Sequence, residues 1–572
     1  MRRYSGARIL IEALIEQGVD TVFGYPGAAV LHIYDELYRQ KNRIRHILVS
    51  HEQHAAHAAD GYARSSGRVG VCLATSGPGA TNLVTGIAAA AIDSVPIVAI
   101  TGNVSLSLLG KDSFQEVDIA GVTMPLVKHN WIVKDVHDLA EVIREAFVVA
   151  KSGRPGPVLV DIPRDVAAAC CEWDRKRIAP AAANGSPGYV KRLAERGRRE
   201  TFTDADIDRA AAMLMESKRP VLYAGGGVTV SGAEEELKKF AELLNAPVAL
   251  SLMGMGAFPH SHPLYTGLIG MHGSAASNKA VQKSDLLVAL GARFSDRVTS
   301  HVEKFARGAK ILHIDIDPAE INKNIQTDAY IAGDLKAVLA RLIQKLPSGT
   351  AAEWNGEIEQ WKKIIPRDHH RKTALHPRFV IQETAKALGE RAIAVTDVGQ
   401  HQIWTAQFFP FNRPRSFISS GGMGAMGFGM GAALGAKIAN PGFPVALFSG
   451  DGCFRMNCIE MATMVRYGIP ILIIIFNNRT LGMVRQWQRF FYEGRYSEIE
   501  LGDRGPDFVK LAEAYDVPAC RISDEPSFID ALKKSMAHNK AGRPALIEAV
   551  IDRDERVLPM VPGGKPIDEQ IM

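Results

Sequence analysis

The sequence has 572 residues, of which 47% are hydrophobic and 23% are charged. These fractions are close to the average for globular proteins, which excludes a disordered or fibrous chain. Its 67 Lys and Arg residues exceed its 62 Asp and Glu residues by only five, and no basic stripe with interleaved aromatic residues is present. Nucleic acid is therefore not an expected partner.

The length predicts two to four domains. Six cysteines without a Cys-x-x-Cys pair or a Cys/His cluster predict reduced thiols rather than a disulfide framework or a zinc site. Residues 1–18 predict an amphipathic helix and not a signal peptide, because Glu12 interrupts their apolar stretch. The most apolar run, residues 469–476, is too short to cross a membrane. We expect a cytoplasmic protein with no membrane partner.

Three blocks of the chain repeat a short apolar run, a Gly-rich turn and a helical period. This alternation predicts an α/β protein with three doubly wound parallel-sheet domains. We expect the domains and linkers at residues 1–167, 168–203 (linker), 204–345, 346–375 (linker) and 376–572, since both linkers are polar and poor in groups to bury. The strands are expected at residues 69–74, 95–101, 156–162, 219–223, 285–290, 311–316, 392–396, 444–449, 469–476 and 545–551.

The strongest local signal is Gly450-Asp451-Gly452 at the end of one predicted strand, with Asn477-Asn478 at the end of the next. A helix is expected between them, from about Cys458 to Tyr467. Ligands of parallel α/β sheets bind at the carboxyl ends of the strands, where both motifs lie. A carboxylate and an amide oxygen suit a hard divalent cation, and the glycines allow close approach of a diphosphate. The alternative is a sharp turn followed by a strand cap.

Residues 450–478 resemble the motif of thiamine-diphosphate enzymes that binds the diphosphate and magnesium. In that family an acid from another domain activates the cofactor, and Glu52 in residues 48–64 matches its position. The resemblance implies that Glu52 hydrogen-bonds to the pyrimidine ring and favours the imino tautomer that takes the reacting proton. His51, His54 and His57 follow at intervals of three, and we favour structural or site-lining roles over a metal site for them.

Within this family the chain resembles acetohydroxyacid synthase (acetolactate synthase) catalytic subunits over about residues 4–565. The segments that carry the resemblance are residues 23–30, 75–82, 110–118, 153–165, 268–273, 291–299, 313–318, 398–402, 419–427, 477–487 and 558–563. The resemblance implies thiamine diphosphate, Mg²⁺ and FAD as cofactors. The two linkers carry the weakest part of it.

The resemblance assigns a set of residues to thiamine diphosphate and its metal. Those expected to line the cofactor are Val398, Gly399, Gln400, His401, Gly424, Met426, Gly450, Asp451, Gly452, Asn478 and Met483. Asp451, Asn478 and the Thr480 carbonyl are the implied magnesium ligands. Phe114 and Gln115 are expected to reach the reacting carbon from a partner subunit, with Gln115 assisting in catalysis.

A second set is assigned to FAD and to the second substrate. The implied FAD residues are Arg154, Gly225, Gly226, Gly227, Gly270, Met271, His272, Gly291, Arg293, Asp315 and Asp334. Trp487 and Met483 would line the substrate pocket, with Trp487 favouring 2-oxobutyrate over pyruvate. Arg297 would bind the substrate carboxylate. The alternatives are a structural turn at residues 225–227, a core tryptophan and a solvated surface arginine.

The chain departs from the family pattern at four positions, which are Ala28, Ser105, Arg164 and Gly431. None of these removes a group that the chemistry needs. The implied reaction decarboxylates pyruvate and joins the two-carbon unit to pyruvate or 2-oxobutyrate, in branched-chain amino-acid synthesis. A homodimer or homotetramer and a small regulatory subunit are the implied partners. The alternatives are a pyruvate oxidase, a related carboligase such as glyoxylate carboligase, a 2-oxoacid decarboxylase, and a non-catalytic paralogue.

Overall fold

The computed structural model describes residues 2–173, 201–347, 352–366, 375–502 and 505–572. Three six-stranded parallel sheets follow one another along these parts of the chain, each flanked by helices. The three doubly wound domains predicted from the sequence are confirmed. Each of the predicted strands is present, shifted at its ends by three residues or fewer.

The N-terminal unit contains one parallel sheet and one antiparallel pair. Its strands are β1 (Arg2–Ser5), β2 (Thr21–Gly24), β3 (Arg45–Leu48), β4 (Gly70–Ala74), β5 (Ile97–Asn103), β6 (Asn130–Ile132), β7 (Val158–Pro163) and β8 (Cys170–Trp173). Its helices are α1 (Gly6–Glu16), α2 (Leu31–Arg39), α3 (Glu52–Ser66), α4 (Pro78–Asn82), α5 (Val84–Ile92), α6 (Ile119–Thr123), α7 (Leu139–Lys151) and α8 (Arg164–Ala168). The sheet order is β3-β2-β4-β5-β7-β6, and β1 pairs with β8.

Strand β8 lies inside the expected linker 168–203, so the start of that linker belongs to the N-terminal unit. The remainder of that linker, from residue 174 to residue 200, lies outside the described residues. The helix expected over residues 1–18 is present from Gly6, and β1 precedes it.

The central unit has the sheet order β11-β10-β9-β12-β13-β14. Its strands are β9 (Pro220–Ala224), β10 (Val248–Leu250), β11 (Tyr265–Leu268), β12 (Leu286–Leu290), β13 (Lys310–Asp315) and β14 (Ala329–Ala332). Its helices are α9 (Asp204–Glu216), α10 (Gly226–Ser231), α11 (Glu234–Leu244), α12 (Ala275–Lys283), α13 (Asp296–Thr299), α14 (Leu335–Lys345) and α15 (Ala352–Lys362).

Helix α15 lies inside the expected linker 346–375. It packs against the central unit, because its Trp354 and Ile358 are only 3% and 2% exposed and join the core of that unit. The polar composition of this segment concealed two well-spaced apolar residues. Residues 348–351 and 367–374 of the same linker lie outside the described ranges.

The C-terminal unit has the sheet order β16-β15-β17-β18-β20-β19. Its strands are β15 (Ile393–Thr396), β16 (Phe417–Ile418), β17 (Val445–Gly450), β18 (Leu472–Asn477), β19 (Ala519–Ile522) and β20 (Ala545–Val550). Its helices are α16 (Pro377–Leu388), α17 (Gln400–Phe408), α18 (Gly429–Ala439), α19 (Asp451–Asn457), α20 (Met461–Tyr467), α21 (Gly482–Phe491), α22 (Phe508–Ala514) and α23 (Glu525–Lys540).

The helix expected from Cys458 to Tyr467 begins earlier than predicted. Helix α19 starts at Asp451, directly at the end of β17, and a 3-10 turn at Cys458–Glu460 separates it from α20. The break occurs because Asn457 leaves helical geometry, at φ −134° and ψ 1°, and its side chain bonds to Asp397. Asp451 is therefore helical and not part of a loop.

The three units share their cores. One apolar cluster joins the N-terminal and C-terminal sheets, and another joins the central and C-terminal sheets. Helices α3 and α18 pack at close range: a Cβ on Gly435 would overlap the Ala58 carbonyl oxygen, and a Cβ on Gly431 would lie 2.8 Å from the His54 carbonyl oxygen. Glycine at position 431, one of the departures from the family pattern, thus permits this contact.

Strand order decides which turns meet. Strands β15, β17 and β18 are neighbours in one parallel sheet, so the segments that follow them meet at one sheet edge. Within the described ranges, no helix combines the length and the apolar character needed to cross a bilayer.

Candidate active site

Asp451 carries a buried carboxylate oxygen that lacks a hydrogen bond within the part of the chain that the structure describes. The residue is 3% exposed, its Oδ1 accepts from the Gly452 amide at 3.0 Å, and its Oδ2 has no partner. Burial raises the pKa of Asp451 to about 7. An unpartnered buried oxygen costs free energy, and a bound cation would remove that cost.

Asn478 and Thr480 lie beside this carboxylate. Asn478 accepts from the Thr480 amide at 3.3 Å and donates to Gln400 Oε1 at 3.4 Å, and both residues are buried. The backbone amide of Arg479 is among the groups that lower the pKa of Asp451, so the two turns meet. A carboxylate, an amide oxygen and a backbone carbonyl are ligands that Mg²⁺ accepts.

The segment after β15 lies against the same turn. His401 is 4% exposed, its Nε2 has no partner among the described residues, and burial lowers the pKa of its imidazole to about 3. A Cβ on Gly450 would lie 3.1 Å from His401 Nδ1, and Cys453 Sγ donates to the Val398 carbonyl at 3.1 Å. Two unpartnered polar atoms beside a glycine turn fit a bound diphosphate with its metal.

Asp397 was not found from the sequence, yet it holds this edge together. Its carboxylate accepts from the Gly429 amide at 2.8 Å, from Ser449 Oγ at 2.7 Å and from Asn457 Nδ2 at 3.1 Å. These donors belong to α18, β17 and α19, and burial raises the pKa of the carboxyl group. The available signal was an acidic residue directly after a buried strand.

The loop at residues 419–427 contains Gly424 and Met426. Gly424 has φ +63°, and Met426 is half-buried, with its methyl 3.7 Å from where a Cβ on Gly452 would lie. Asp93 of the N-terminal unit accepts from the Gly421 amide at 3.0 Å and the Gly422 amide at 2.8 Å. The loop is thus fixed from another unit, by a residue that sequence reasoning missed.

Glu52 is the first residue of α3 and is half-buried. Its Oε2 accepts from Asn82 Nδ2 at 3.0 Å, and its Oε1 would lie 3.2 Å from a Cβ on Gly79. The same turn is contacted by Gln115, whose carbonyl oxygen would lie 2.7 Å from a Cβ on Gly77. Phe114, the remaining predicted catalytic residue, is 86% exposed.

The three histidines near Glu52 contact different partners. His51 caps α3 by accepting from the Gln53 amide at 3.1 Å, and His54 Nδ1 lies 2.8 Å from Glu460 Oε1. His57 is buried against Phe428, with ring centroids 5.1 Å apart. The described residues contain no group of three or more His, Cys, Asp or Glu arranged to hold a metal ion.

A cavity of about 1340 Å³ lies where the three units meet. Sixteen of its lining residues belong to the predicted sets, namely Arg154, Gly225, Gly226, Gly227, Met271, His272, Gly291, Arg293, Arg297, Asp315, Asp334, Val398, Gly399, Gly424, Met483 and Trp487. The predicted residues Gly270, Glu52, Phe114, Gln115, Gln400, His401, Met426, Gly450, Asp451, Gly452, Asn478 and Thr480 do not line it. The predicted sites are therefore adjacent but distinct, joined through residues 398, 399 and 424.

Several cavity residues are already engaged with protein. Arg154 donates to Ser94 Oγ and to Glu320 Oε1, both at 2.8 Å. Asp334 caps α14 by accepting from the Ala337 amide at 3.1 Å. Asp315 is 8% exposed, burial raises the pKa of its carboxyl group to about 6, and its Oδ1 accepts from the Asp317 amide at 2.9 Å.

Residues 270–272 form one wall of the cavity region. Gly270 has φ +102°, and its amide donates to Asn278 Oδ1 at 2.9 Å. The Met271 amide donates to the Arg297 carbonyl at 2.8 Å. His272 Nδ1 lies 3.2 Å from the Pro559 carbonyl, and burial lowers the pKa of the imidazole to about 4. Hydrogen bonds to three neighbouring segments thus hold this wall, and its histidine is neutral at pH 7.

The predicted substrate residues Arg297, Met483 and Trp487 also line this cavity. Trp487 is half-buried, with its ring centroid 5.1 Å from that of Phe491, so it is not a core tryptophan. Met483 lies one turn earlier on α21. The Arg297 side chain is 66% exposed, and its Nη1 lies 3.3 Å from Asp296 Oδ2.

Comparison with known proteins identifies the same three units. Residues 4–122, 207–342 and 397–549 match the family models of the N-terminal, central and C-terminal domains of thiamine pyrophosphate enzymes. A probable acetolactate synthase large subunit of Methanocaldococcus jannaschii is 48% identical over 98% of this chain and 94% of its own length.

Two further relatives extend this likeness. An acetolactate synthase large subunit of Corynebacterium glutamicum is 47% identical over 98% of this chain and 89% of its own length. An acetolactate synthase of Arthrospira platensis is 44% identical over 99% of this chain and 97% of its own length. The chain belongs to the acetolactate synthase large-subunit family and is a thiamine-diphosphate-dependent enzyme of that type.

Proposed function

We propose that this chain decarboxylates pyruvate and joins the remaining two-carbon unit to a second 2-oxoacid. Pyruvate as second substrate gives 2-acetolactate, and 2-oxobutyrate gives 2-aceto-2-hydroxybutyrate, at the entry to branched-chain amino-acid synthesis. The observation that carries the proposal is the pair of unpartnered buried atoms, Asp451 Oδ2 and His401 Nε2, at one sheet edge. That edge lies within the part of the chain that matches the cofactor-binding domain.

Asp451, Asn478 and the Thr480 carbonyl would hold Mg²⁺, and Val398 to His401 with Gly450 and Gly452 would surround the diphosphate. The neutral His401 ring can donate one hydrogen bond without adding charge. When bound, thiamine diphosphate supplies a carbon nucleophile and accepts the electron pair released by decarboxylation. Gly424 and Met426 would hold the aminopyrimidine end.

Glu52 would act as the acid–base group toward the aminopyrimidine. Its Oε2 accepts from Asn82, so its orientation is fixed before the cofactor binds. Phe114 and Gln115 would approach the reacting carbon of a partner subunit. The exposure of Phe114, at 86%, suits a residue that another chain covers.

The 1340 Å³ cavity would hold FAD, with no net redox task in the ligation. The buried carboxyl group of Asp315 lines this cavity and would accept a hydrogen bond from a hydroxyl group of the cofactor. Gly226 and Arg293 line it as well, and the remaining predicted FAD residues surround them. Gly225 and Gly227 would act indirectly, because both pack against Gly291.

Trp487 and Met483 would contact the second substrate, and Arg297 would pair with its carboxylate. The Arg297 side chain is 66% exposed, and a substrate carboxylate would bind beside or in place of its exposed partner Asp296. The working assembly would be a homodimer or homotetramer with a small regulatory subunit, in the cytoplasm. Domain limits at residues 1–167, 204–345 and 376–572 remain the proposed division, with α15 packed on the central domain.

The experiment supplies the purified protein with thiamine diphosphate, Mg²⁺ and FAD, and with pyruvate plus 2-oxobutyrate. Products are identified by mass spectrometry, with a redox dye in a parallel reaction. We expect 2-aceto-2-hydroxybutyrate to exceed 2-acetolactate and the dye to stay oxidised. Acetate with reduced dye would establish a pyruvate oxidase instead, and free acetaldehyde a decarboxylase.

A further inference from the structure

The buried pair His54–Glu460 joins the N-terminal unit to the C-terminal unit two residues beyond Glu52. We propose that this pair is a positioning device, which sets where Glu52 stands relative to the bound cofactor. The inference rests on the proposed function of Glu52 as the activating acid. It assigns a role to His54, for which neither metal binding nor direct catalysis is proposed.

Glu460 is fully buried, and its carboxylate has three partners. Its Oε1 accepts from the Ser50 amide at 2.9 Å and lies 2.8 Å from His54 Nδ1, while its Oε2 accepts from Thr463 Oγ1 at 2.6 Å. Ser50 and His54 lie two residues before and two residues after Glu52. One carboxylate oxygen therefore fastens the backbone on both sides of the proposed catalytic acid.

Further hydrogen bonds fasten the same segment to the same partner. Ser50 Oγ donates to the Ile459 carbonyl at 3.1 Å, and the Leu48 amide donates to Tyr467 Oη at 3.0 Å. The Glu52 side chain itself bonds to Asn82, within its own unit. Its backbone is thus set by the C-terminal unit, and its side-chain direction by the N-terminal unit.

Glu460 also lies on the segment that carries the candidate metal ligand. Helix α19 begins at Asp451, and Glu460 closes the 3-10 turn directly after that helix. The same short stretch of backbone thus carries Asp451 and the anchor of Glu52, so in a dimer with its sites between two chains it would link the acid of one site to the metal ligand of the other. An acid–base group must stand within hydrogen-bonding reach of its target, and a displacement of about 1 Å can cost about 100-fold in rate.

A structural link and a positioning link make different predictions. Glutamine at position 460 can keep an acceptor for the Ser50 amide and His54 and can still bond to Thr463, so Glu460→Gln tests geometry without the charge. Glu460→Ala and His54→Ala remove the link. Thr463→Val is the control, because it removes a hydrogen bond to the same carboxylate and the long 3.4 Å bond to the Leu48 carbonyl but leaves Ser50 and His54 in place.

Two measurements decide the matter. Amide hydrogen exchange of residues 48–58 in the cofactor-free protein reports whether the segment is held. The exchange rate of the reacting-carbon proton of added thiamine diphosphate, followed by NMR with Mg²⁺ present, reports activation by Glu52. We expect Glu460→Ala and His54→Ala to loosen the segment and to slow the proton exchange by about 10- to 100-fold. Glu460→Gln and Thr463→Val should stay within about threefold of the unchanged protein.

The inference is overturned if the segment loosens while the proton exchange keeps its rate, or if Glu460→Gln and Thr463→Val lose as much as Glu460→Ala. Should Glu460→Ala fail to fold, His54→Ala decides by the same criteria. Failure of the proposed function is a separate result: the unchanged protein and Glu52→Gln would then exchange the proton at the same rate.

Discussion

Two glycine turns each follow a buried parallel strand, but they differ in the atoms that surround them. Gly450-Asp451-Gly452 follows β17 and contacts His401, and within the described residues both Asp451 Oδ2 and His401 Nε2 are buried without a hydrogen-bond partner. In the turn at residues 225–227, which follows β9, two of the three glycines are used by the protein itself. A Cβ on Gly225 would overlap the Gly291 carbonyl oxygen, and one on Gly227 would lie 2.6 Å from the Gly291 Cα.

A glycine turn indicates that other atoms lie close to the backbone. The glycines alone do not indicate whether those atoms belong to a ligand or to the protein. In the first turn the neighbouring polar atoms are left for a ligand, whereas in the second the neighbour is another βα turn of the same sheet. Gly226 alone is freer, with the Met253 carbonyl oxygen 3.3 Å from its added Cβ. The polar group between the glycines, and not the glycines, distinguishes the two.

Asp451→Asn should have the largest effect, because it removes the charged oxygen of the first turn at almost constant volume. We expect the affinity for Mg²⁺ and thiamine diphosphate to fall by at least about 100-fold, since weaker changes around a metal already cost about 10- to 100-fold. Fluorescence titration of the apoprotein measures it. The unfolding temperature of the apoprotein serves as the control and should not fall, and an unchanged affinity would contradict the assignment.

The Gly227→Ala substitution should destabilise the folded protein through a steric clash in the turn at residues 225–227. The added methyl meets rigid backbone, which costs about 1–3 kcal/mol of folding free energy. Gly226→Ala is the matched variant and should cost less than half as much. Chemical unfolding followed by circular dichroism measures both. Equal losses for the two variants would mean that contact with Gly291 does not explain the glycines.

The Trp487→Leu variant tests the role of the cavity that residues 225–227 line. Loss of the ring contact should reduce the preference for 2-oxobutyrate over pyruvate by about tenfold, because one methylene in an apolar pocket contributes about 1–3 kcal/mol. The product ratio in a mixture of the two substrates measures it. Phe491→Leu changes the neighbouring ring outside the cavity lining and is the control. A ratio that stays constant in Trp487→Leu would separate this residue from the substrate.

Glu145→Gln should have the smallest effect. It replaces a buried carboxylate that belongs to neither turn. Burial raises the pKa of Glu145 to about 7 from its ordinary value of 4.5, so the folded state binds the proton more tightly than the unfolded state. The stability of the unchanged protein therefore falls as the pH rises from 4.5 to about 7. Glutamine should stabilise the protein at pH 8 by about 1 kcal/mol, less than the full pKa shift implies, because the folded protein relaxes around the charged carboxylate.

Thermal unfolding of both forms at pH 4.5 and pH 8 checks this prediction. The difference between them should be much smaller at pH 4.5, where the glutamate is neutral in the folded state and only half ionised in the unfolded state. A gain of the same size at both pH values would point to packing and not to charge.

The strands and the sheet edge were predictable because their signals are local. Apolar β-branched runs followed by glycine turns specify parallel strands, and Asp451 and Asn478 lie at the ends of two of them. Helix α15 was missed because two buried aromatic and aliphatic residues stand in a polar segment. The early start of α19 was missed because a glycine turn and a helix start look alike in sequence.

The sequence by itself determined the three α/β units and their strands, and it supplied the candidates for the acid and for the metal-binding side chains. Only the tertiary structure decided which atoms are left without partners, which glycines pack against glycine, and that Glu460 fastens the backbone around Glu52. Such contacts join residues some 400 positions apart. Their energy depends on burial and on distances of a few tenths of an ångström, which no local pattern of residue types encodes.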